Sequence, residues 1–482
     1  MNKKIIVVLI IITLGFSALF KIGYDGVVSI SENTLGDKIG DILPEDFKDF
    51  LKDKIFFVAK YKQDINSLNK KIDMHEQTIR ENNQIIYEEI GKIFFDLQYS
   101  RPIKENTKYN IRRIGTKNLS NGKNPYAVAS GYIDIYDKKI FLVSGDGKIF
   151  YNNLDEIQKN KFYLKIIKSN INLLTNEEKL NKKNFFGIKD LLILDNKILI
   201  SYVKEIKEKC YNLEISSADL NYEYLNFSKV FGFEECSQKN SDISHSGGRI
   251  VKLDNNNVFF TIGDFNQRED VQNENKFFGK IVKINLNSKE ATLISKGHRN
   301  PQGLFLLKDK NILFSTEHGP IGGDEINMID LSELNKKKYN FGWPIASYGV
   351  GKQINPTNFL DTKKKYEKHS KQGFDEPLYY FTPSIGISEL VVLNNNSQSN
   401  IINIFVSALG TAIWEGDMSL HKFEYDLINN KIIDRDTIPI NERIRDIKFD
   451  KDTNKLYLFL ESGNWYPDSS SIAIIESNNI SN

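Results

Sequence analysis

From about residue 101 onward, short apolar runs alternate with short polar turns in a pattern that repeats along the chain. Each repeat has an apolar run, a turn rich in Asp, Asn or Lys, and a second apolar run, which is the pattern of a β-hairpin. The six copies lie at Tyr132–Ser144, Leu191–Tyr202, Ile250–Gly263, Leu304–Glu317, Leu390–Ser407 and Ile447–Leu460. Their turns lie at Asp137, Asp195, Asp254, Asp309, Asn394 and Asp450. Most of these turns are roughly 55 to 60 residues apart, which leaves room for two more strands per repeat, so we predict an all-β, six-bladed β-propeller over residues 105–482.

The hairpin pattern also predicts where a functional site lies. In a hairpin, the start of the first strand and the end of the second strand lie at the same end. Polar and loop-forming residues occupy these places throughout the repeats, namely His245, Asp264, Arg299, Asn300, Glu317, Gly319, Pro320, Ser384, Arg443 and Arg445. We therefore expect them to meet at one mouth of the central channel. The one long interval, from Asp309 to Asn394, carries an insertion that follows Pro320 and should cover the same mouth.

A different pattern precedes the hairpins. Apolar β-branched residues recur every seven positions, at Val58, Ile65, Ile72, Ile79, Ile86 and Ile93. This heptad spacing predicts an α-helical coiled-coil stalk within residues 44–100, and with it a possible homo-oligomer. Polar residues at the second seam position (His75, Asn82 and Glu89) leave dimer and trimer open. The alternative is a single amphipathic helix that lies on the following domain.

The amino terminus has the pattern of an export signal. Asn2-Lys3-Lys4 precedes the uncharged, apolar run Ile5–Phe20. We expect residues 1–23 to be a signal anchor in the membrane or a cleaved signal peptide, with the anchor favoured because no small-x-small cleavage site follows. Either way, the rest of the chain should lie outside the cytoplasm, on the periplasmic side.

Composition and cysteine usage agree with this location. The 65 Lys and Arg residues nearly balance the 63 Asp and Glu residues, so the net charge of +2 gives no reason to propose a nucleic-acid partner. Cys210 and Cys236 are the only two cysteines. Because export would place them where disulfides persist, we expect them to be bonded to each other.

The stretch from Gly297 to Pro344 is the best candidate for a site. It contains G-H-R-N-P-Q-G, E-H-G-P-I-G-G-D-E-I-N and Y-N-F-G-W-P, with six glycines and three prolines. Arg299 and Asn300 offer a guanidinium and an amide to a planar anionic ligand. The carbonyl groups of Gly319 and Pro320, in a sharp loop, could face a cation.

These segments resemble the pyrroloquinoline quinone (PQQ)-dependent soluble glucose dehydrogenase and aldose sugar dehydrogenase family. In that family, similar G-H-R-N-P-Q-G and E-x-G-P segments hold the cofactor. The resemblance runs, with gaps, from about Gly131 to Gly463. It implies a quinoprotein dehydrogenase that oxidises an aldose or a similar sugar or alcohol with PQQ and Ca²⁺.

The resemblance also implies roles for individual residues. His245, in S-H-S-G-G-R, matches the family's general base, and Arg299 would stabilise the developing oxyanion as well as bind the cofactor. Asn300, Ser384, Arg443 and Arg445 match further cofactor-binding positions, and the two later arginines would clamp the carboxylates of the quinone. An ion pair with Asp446 is the alternative for either of these two. Gly319 and Pro320 would bind Ca²⁺ through their carbonyl oxygens, with Asp324, Glu325 and Asn327 supporting the loop.

Three positions depart from the family pattern. Ser244 stands where the family has an acid before the histidine, so the orienting partner of His245 is expected to be missing. Gly410 stands where the family has a cofactor-binding lysine. An early glutamine contact has no match near Lys182–Gly187.

Two other functions compete with the dehydrogenase. One is a cofactor-free extracytoplasmic propeller that binds a glycan or a protein. The other is a propeller hydrolase of the lactonase kind, which should gather several carboxylates as metal ligands. Because this chain gathers arginines and carbonyl-exposing turns instead, the dehydrogenase is favoured.

Overall fold

The structure is a computed structural model, and it describes residues 66–68, 70, 71, 74, 91–99, 108–117, 119, 130–175, 187–238, 245–320, 322–355, 358–394, 399–410, 418–461 and 469–476. The chain falls into two compact units, residues 1–79 and 80–482. In the first unit, the described residues are helical and exposed to solvent. The predicted signal segment and most of the predicted coiled coil lie outside the described residues. Within those that are described, no helix is both long enough and apolar enough to cross a membrane.

The predicted helix does not extend to residue 100. Strand β1 (Lys92–Asp96) pairs with a later strand of the second unit, and the side chain of Ile93 is buried there. Its alternating pattern of buried residues has the two-residue period of a strand, so Ile93 belongs to the heptad series only by coincidence of spacing. The β-structure therefore begins before residue 105, whereas the sequence analysis predicts that it starts at residue 105.

In the part of the second unit that the structure describes, most strands form six groups of four antiparallel strands, which we call blades 1 to 6. Blade 1 contains β3 (Gly131–Tyr136), β4 (Lys139–Ser144), β5 (Ile149–Asn153) and β6 (Lys161–Ser169). Blade 2 contains β7 (Ile188–Leu194), β8 (Lys197–Lys207), β9 (Cys210–Asp219) and β11 (Ser228–Gly232), while the short β10 (Tyr224–Leu225) pairs with β6. Blade 3 contains β12 (Gly247–Lys252), β13 (Asn257–Ile262), β14 (Lys280–Asn285) and β15 (Ala291–Lys296).

Blade 4 contains β16 (Pro301–Leu307), β17 (Ile312–Glu317), β18 (Asp324–Asp330) and β22 (Tyr379–Phe381). Between β18 and β22 lies the insertion, with β19 (Tyr339–Asn340), which pairs with β15, and a hairpin of β20 (Val350–Asn355) and β21 (Asn358–Lys365). Blade 5 contains β23 (Ile387–Leu393), β24 (Ile401–Ala408), β25 (Ser419–Asp426) and β26 (Lys431–Pro439). Blade 6 contains β27 (Arg443–Asp450), β28 (Lys455–Glu461), β29 (Ser469–Glu476) and β2 (Asn110–Lys117).

Among the described residues of this unit, helical structure is limited to short pieces. One α-helix, α1 (Ile171–Thr175), follows β6. The 3₁₀ turns are Leu97–Tyr99, Glu156–Gln158, Arg268–Asp270, Lys308–Lys310, Leu331–Glu333 and Ser370–Gln372.

The blades close into a ring. The first strands β3, β7, β12, β16, β23 and β27 pack side by side in that order, and β27 packs against β3. Strand β2, from the amino-terminal side, pairs along its whole length with β29 and so completes blade 6 with a strand from the other end of the chain. The prediction of six hairpin repeats is confirmed, since each predicted hairpin forms the first two strands of one blade. The fold is therefore all-β and propeller-like.

The apolar core lies between the blades. Six large clusters of buried apolar side chains occupy the six interfaces between neighbouring blades in the described part of the chain. Consecutive residues of one strand point to opposite interfaces: Phe141 packs towards blade 2 and Leu142 towards blade 6. Both faces of each sheet are buried in this way, which explains why the second strands are nearly continuous apolar runs.

A buried charge cluster ties the first strands together at the centre of the ring. The guanidinium of Arg249 on β12 lies 3.1 Å from Asp190, 3.1 Å from Glu389 and 3.0 Å from Asp446, which belong to blades 2, 5 and 6. These carboxylates also accept backbone hydrogen bonds from neighbouring first strands; Asp190, for example, accepts from Ile250. Arg249 is only 2% exposed, so these carboxylates offset the cost of burying its charge.

The expected disulfide is present. Cys210, at the start of β9, is bonded to Cys236, and the adjacent residues Tyr211 and Ser237 form a backbone bridge. The described residues contain no free cysteine. The bond closes the segment that leads from β9 through the outer strand of blade 2, and it favours an oxidising compartment.

This bond predicts a thiol count and a stability change. The unfolded, unreduced protein should show no free thiol, and it should show two after reduction. Closing a 26-residue loop stabilises the folded state by about 3–4 kcal/mol in the chain-entropy model, so reduction should lower the denaturant midpoint accordingly. Thiol titration in denaturant, before and after reduction, is the measurement, and two thiols before reduction would rule the bond out.

Candidate active site

A cavity of about 430 Å³ opens at the end of the ring where the first strands begin. Its lining includes seven residues proposed from the sequence: His245, Arg299, Asn300, Gly319, Pro320, Ser384 and Arg443. The other lining residues are His318, Asp324, Gly386, Leu409 and Gly410. Blades 3 to 6 all contribute to the lining, although its first and last residues, His245 and Arg443, are 198 residues apart in the sequence. The hairpin geometry explains this convergence.

Close backbone packing sets the position of His245. The residue precedes β12, and its carbonyl group lies against Gly263 at the end of β13. A Cβ atom on Gly263 would lie 2.0 Å from the carbonyl oxygen of His245, so only glycine allows this approach. The imidazole is therefore held at the mouth by the backbone of its own hairpin.

The imidazole of His245 has a partner on each nitrogen. Its Nδ1 lies 3.1 Å from Oδ1 of Asp264, and its Nε2 lies 2.9 Å from Nη2 of Arg299. Oδ2 of Asp264 accepts a hydrogen bond of 2.7 Å from the indole Nε1 of Trp343, which belongs to the insertion in blade 4. The expectation that His245 lacks an orienting acid is wrong: Asp264, at the end of the adjacent strand, takes the place that Ser244 cannot fill.

The electrostatics favour an ionised Asp264. Burial opposes ionisation, but the hydrogen bond with His245 and the charge of Arg299 hold the pKa of Asp264 below its usual value. An ionised Asp264 fixes the tautomer of His245 with the proton on Nδ1, which leaves the lone pair of Nε2 facing Arg299 and the cavity. This is the arrangement of a general base with its orienting carboxylate.

Glu317 holds the loop that carries Arg299. Its Oε2 accepts a 2.7 Å hydrogen bond from the backbone N–H of Arg299, and its Oε1 lies 3.0 Å from Nδ1 of His298 and accepts from Asn327 at 2.8 Å. Asn300, the next residue of the loop, accepts from the backbone N–H of Gly247 at 3.1 Å. The G-H-R-N loop is thus tied both to its own blade and to the strand that follows His245.

The two later arginines share one carboxylate. Arg443 Nε lies 2.8 Å from Glu461, and Arg445 contacts both oxygens of Glu461 at 2.8 and 2.9 Å. Although burial favours the neutral acid, the charges of Arg445 and Arg443 hold the pKa of Glu461 at about 2. Asp446, the alternative partner considered from the sequence, is buried and pairs with Arg249 instead.

Arg445 lies deeper than expected. It is absent from the cavity lining, and its Nη1 donates to Oε1 of Gln302 at 3.3 Å. Gln302 in turn donates to Asn300, which lines the cavity. Arg445 therefore lies beneath the cavity and connects to it through two amide side chains.

Asp324 supports the Gly319–Pro320 loop. Its Oδ1 accepts from the backbone N–H of Gly319 at 3.0 Å, and its Oδ2 accepts from Ile385 and Ile387 at 3.0 and 3.1 Å. Among the described residues, no three His, Cys, Asp or Glu side chains are grouped so as to hold a metal ion. A cation at this loop would therefore depend on backbone carbonyl oxygens.

The sequence reasoning did not single out two residues of the site. His318 lines the cavity, where burial and the neighbouring cations Arg299 and Arg445 lower its pKa to about 4. Trp343 holds Asp264, and the guanidinium of Arg299 lies 5.5 Å from its ring centre. The E-H-G-P and F-G-W-P segments that contain them were visible in the sequence, but their contacts depend on the fold.

The sequence was compared with models of protein families. The glucose/sorbosone dehydrogenase model matches residues 193–465, more than half of the chain. The chain belongs to the glucose/sorbosone dehydrogenase family. The resemblance seen in the motifs is thus confirmed, and the matched region contains every lining residue of the cavity.

Individual members of the family show the extent of the likeness. Aldose sugar dehydrogenase YliI of Escherichia coli is 32% identical over 185 residues, which cover 35% of this chain and 47% of that protein. The chain thus spans about half the length of this curated relative. The crystal structure of the soluble E. coli aldose sugar dehydrogenase in its apo form matches with a TM-score of 0.54 and 19% identity, over 77% of this chain and 100% of that one. The PQQ-bound form of the Streptomyces coelicolor enzyme matches with a TM-score of 0.51 and 16% identity, over 77% and 100%. These structural matches support the glucose/sorbosone dehydrogenase fold.

Proposed function

We propose that this member of the glucose/sorbosone dehydrogenase family is a quinoprotein dehydrogenase that oxidises an aldose or a similar sugar or alcohol with PQQ and Ca²⁺. The observation that carries the proposal is the oriented imidazole of His245, held between Asp264 and Arg299 in a cavity with a second arginine, Arg443, in its lining. The names of two similar proteins, an aldose sugar dehydrogenase and a PQQ-bound one, support the substrate class and the cofactor.

The residues of the cavity fit PQQ. The molecule is planar and carries three carboxylates, and the guanidinium groups of Arg299 and Arg443 face the same cavity. The Oγ atom of Ser384 is buried in the lining and has no hydrogen-bond partner among the described residues, so a ligand would satisfy it. The cavity volume also lies within the usual range for small-molecule sites, about 300–1,000 Å³.

Each group would then have a distinct task. Arg443 and Arg299 would bind carboxylates, while Asn300 and Ser384 would orient the ring system. Arg445, which lies beneath the cavity, would strengthen the positive potential rather than line the site. Gly410 lines the cavity but brings no charge to it.

The chemistry follows from His245. PQQ, when bound, supplies a two-electron acceptor for the hydride that leaves the substrate carbon. His245 would take the proton of the substrate hydroxyl on Nε2, and Asp264 would stabilise the imidazolium that results. Arg299 would stabilise negative charge that develops at the reacting centre. Since Arg299 contacts Nε2 in the present arrangement, the substrate hydroxyl would have to displace that contact.

Ca²⁺ is proposed at Gly319 and Pro320. Their loop borders the cavity and is fixed by Asp324, and hard carbonyl oxygens suit this ion. With few protein ligands, Ca²⁺ would need oxygen atoms of the cofactor as well, so metal and cofactor should bind together.

The cellular setting is proposed on the same basis. The disulfide and the family favour an extracytoplasmic protein, on the periplasmic side. We also propose that residues 1–23 anchor the protein in the membrane and that the predicted coiled coil joins copies of the chain.

Cofactor binding tests the proposed function directly. The purified full chain, incubated with PQQ and Ca²⁺ and freed of unbound ligand, should retain a quinone absorbance spectrum and reduce an artificial acceptor when an aldose is added. Omitting Ca²⁺ should weaken PQQ retention. A folded protein that retains no PQQ under any of these conditions would instead favour the cofactor-free binding module.

A further inference from the structure

We infer that Lys189 is an additional anion-binding residue beneath the proposed PQQ site, where its ammonium helps to hold the carboxylates of the cofactor. This inference rests on the proposed function. It is based on a buried lysine that has no partner, at a position where another first strand places an arginine.

The position of Lys189 is set by an irregularity shared by the first strands. The pairing of β7 with β8 shifts register between Ile188 and Asp190, which leaves Lys189 as the extra residue of a β-bulge. The pairing of β27 with β28 shifts in the same way between Ile444 and Asp446, and there the extra residue is Arg445. Bulges beside a site redirect side chains, and blades 2 and 6 use them to place a cation in corresponding positions.

The packing around Lys189 keeps its side chain inside the ring. Its Cβ and Cγ atoms lie against Gly248 of β12, where an added Cβ would be 2.4 and 3.0 Å from them. Only glycine leaves space for the lysine stem there. Lys189 is 9% exposed and, like Arg445, lies outside the cavity lining. In the described part of the chain its ammonium makes no hydrogen bond and no ion pair. A buried cation without a partner is costly unless a ligand completes it.

Two charged residues at or beneath the cavity lie near Lys189. They are Arg445 on β27 and Glu461 at the end of β28, while Asp190 on its own strand is engaged by Arg249. Burial, with a further contribution from Arg445, lowers the pKa of Lys189 to about 7. The carboxylate of Glu461 is already engaged by Arg443 and Arg445, so three cations lie near one carboxylate, and this surplus of positive charge suits a polyanionic ligand. The charge of Lys189 would also replace that of the cofactor-binding lysine that the family has at the position of Gly410.

Direct binding of PQQ tests this role. Lys189→Met keeps the length of the side chain without its charge, and Lys189→Arg keeps the charge. Loss of one charge-assisted contact should raise the Kd for PQQ by about 10- to 100-fold in Lys189→Met, while Lys189→Arg should remain within about threefold of wild type. The Kd is measured by fluorescence or absorbance titration with PQQ in the presence of Ca²⁺. Equal Kd values for wild type and Lys189→Met would overturn the inference.

The pH dependence supplies a second readout. A carboxylate ligand favours the protonated amine, so PQQ binding to wild type should weaken as the pH rises from 6 to 8.5, through the pKa of about 7. In Lys189→Met, the part of this pH dependence that comes from the lysine should be absent. Because His245 and other groups remain in both proteins, the difference between the two profiles isolates Lys189. Identical profiles would contradict the inference.

Amine labelling of wild type covers the case in which Lys189→Met does not fold. Lys280 is a matched control, since it is also buried but donates to the carbonyl groups of Val271 and Phe278, away from the cavity. PQQ should protect Lys189 from acetylation at pH 8, as followed by mass spectrometry, and should leave Lys280 unchanged. Equal labelling of Lys189 with and without PQQ would overturn the inference. A wild type that binds no PQQ at all would instead refute the proposed function.

Discussion

His245→Gln should reduce turnover of an aldose by about 10² to 10⁴, the usual contribution of a positioned acid–base group, while PQQ binding stays near the wild-type level. The physical reason is the arrangement around the imidazole: Asp264 holds Nδ1, so Nε2 is the atom that can accept a proton. Glutamine can fill the space but cannot accept a proton at neutral pH. Steady-state rates with an artificial electron acceptor, together with the fraction of protein that carries PQQ, are the measurements.

Two further variants make this experiment decisive. Arg443→Ala should bind PQQ more weakly, while protein that still carries PQQ should retain its turnover, because Arg443 lines the cavity from blade 6 and the proposed base precedes blade 3. His421→Gln alters a buried histidine of blade 5 outside the cavity and should leave turnover unchanged. Equal turnover in wild type and His245→Gln, with PQQ bound to both, would remove His245 from the mechanism.

Arg249→Met should lower the free energy of unfolding by about 3–5 kcal/mol at pH 8, the usual cost of leaving a buried charge without its partner. Three carboxylates approach this one guanidinium within about 3 Å, and they come from blades 2, 5 and 6. Without Arg249, their mutual repulsion would remain inside the ring. Denaturant unfolding at fixed pH is the measurement, with Lys197→Met at an exposed ion pair as the control, for which a change of at most about 1 kcal/mol is expected.

The loss of stability in Arg249→Met should depend on pH. Burial already raises the pKa of Glu389 to about 7 in the intact cluster, and removing Arg249 should raise it further. A carboxyl group whose pKa is higher in the folded state than in the unfolded state binds more protons when folded, so its contribution to stability falls as the pH rises. The deficit of Arg249→Met should therefore be smaller at pH 5 than at pH 8, and Glu389→Gln in the same protein should recover part of it. If Arg249→Met loses no more stability than Lys197→Met at pH 5 and at pH 8, the charge cluster does not hold the ring together.

Much of the fold could be predicted from local sequence because a hairpin is a local structure. Its two strands are joined by a short turn, and their apolar runs are visible without knowledge of any partner. The spacing of the turns therefore reveals the number of repeats, as the six blades confirm. The end of the predicted helix was wrong for the opposite reason: β1 is defined by its pairing with β6, more than 60 residues away, and a single residue such as Ile93 fits both periodicities.

The site was predictable to the extent that its residues sit in motifs. G-H-R-N, E-H-G-P and S-H-S-G-G-R each combine a backbone-directing residue with a polar side chain, and each contributes at least one residue to the lining of the same cavity. Contacts between motifs could not be read in this way. Asp264 stands 19 residues after His245 and Trp343 a further 79 after Asp264, and only the closed ring and the insertion bring the three together.

The sequence by itself determined the repeat number, the family and the loops that meet at the mouth, because each depends on local periodicity or on a contiguous motif. It also determined the disulfide, because the chain has only two cysteines. The tertiary structure alone decided which acid orients His245, which carboxylate serves Arg443 and Arg445, and that Arg249 and Lys189 are buried cations with opposite surroundings. Those outcomes depend on distances between side chains of different blades. A difference of a few ångströms separates a paired charge from an unpaired one, and only the packing of the ring sets that distance.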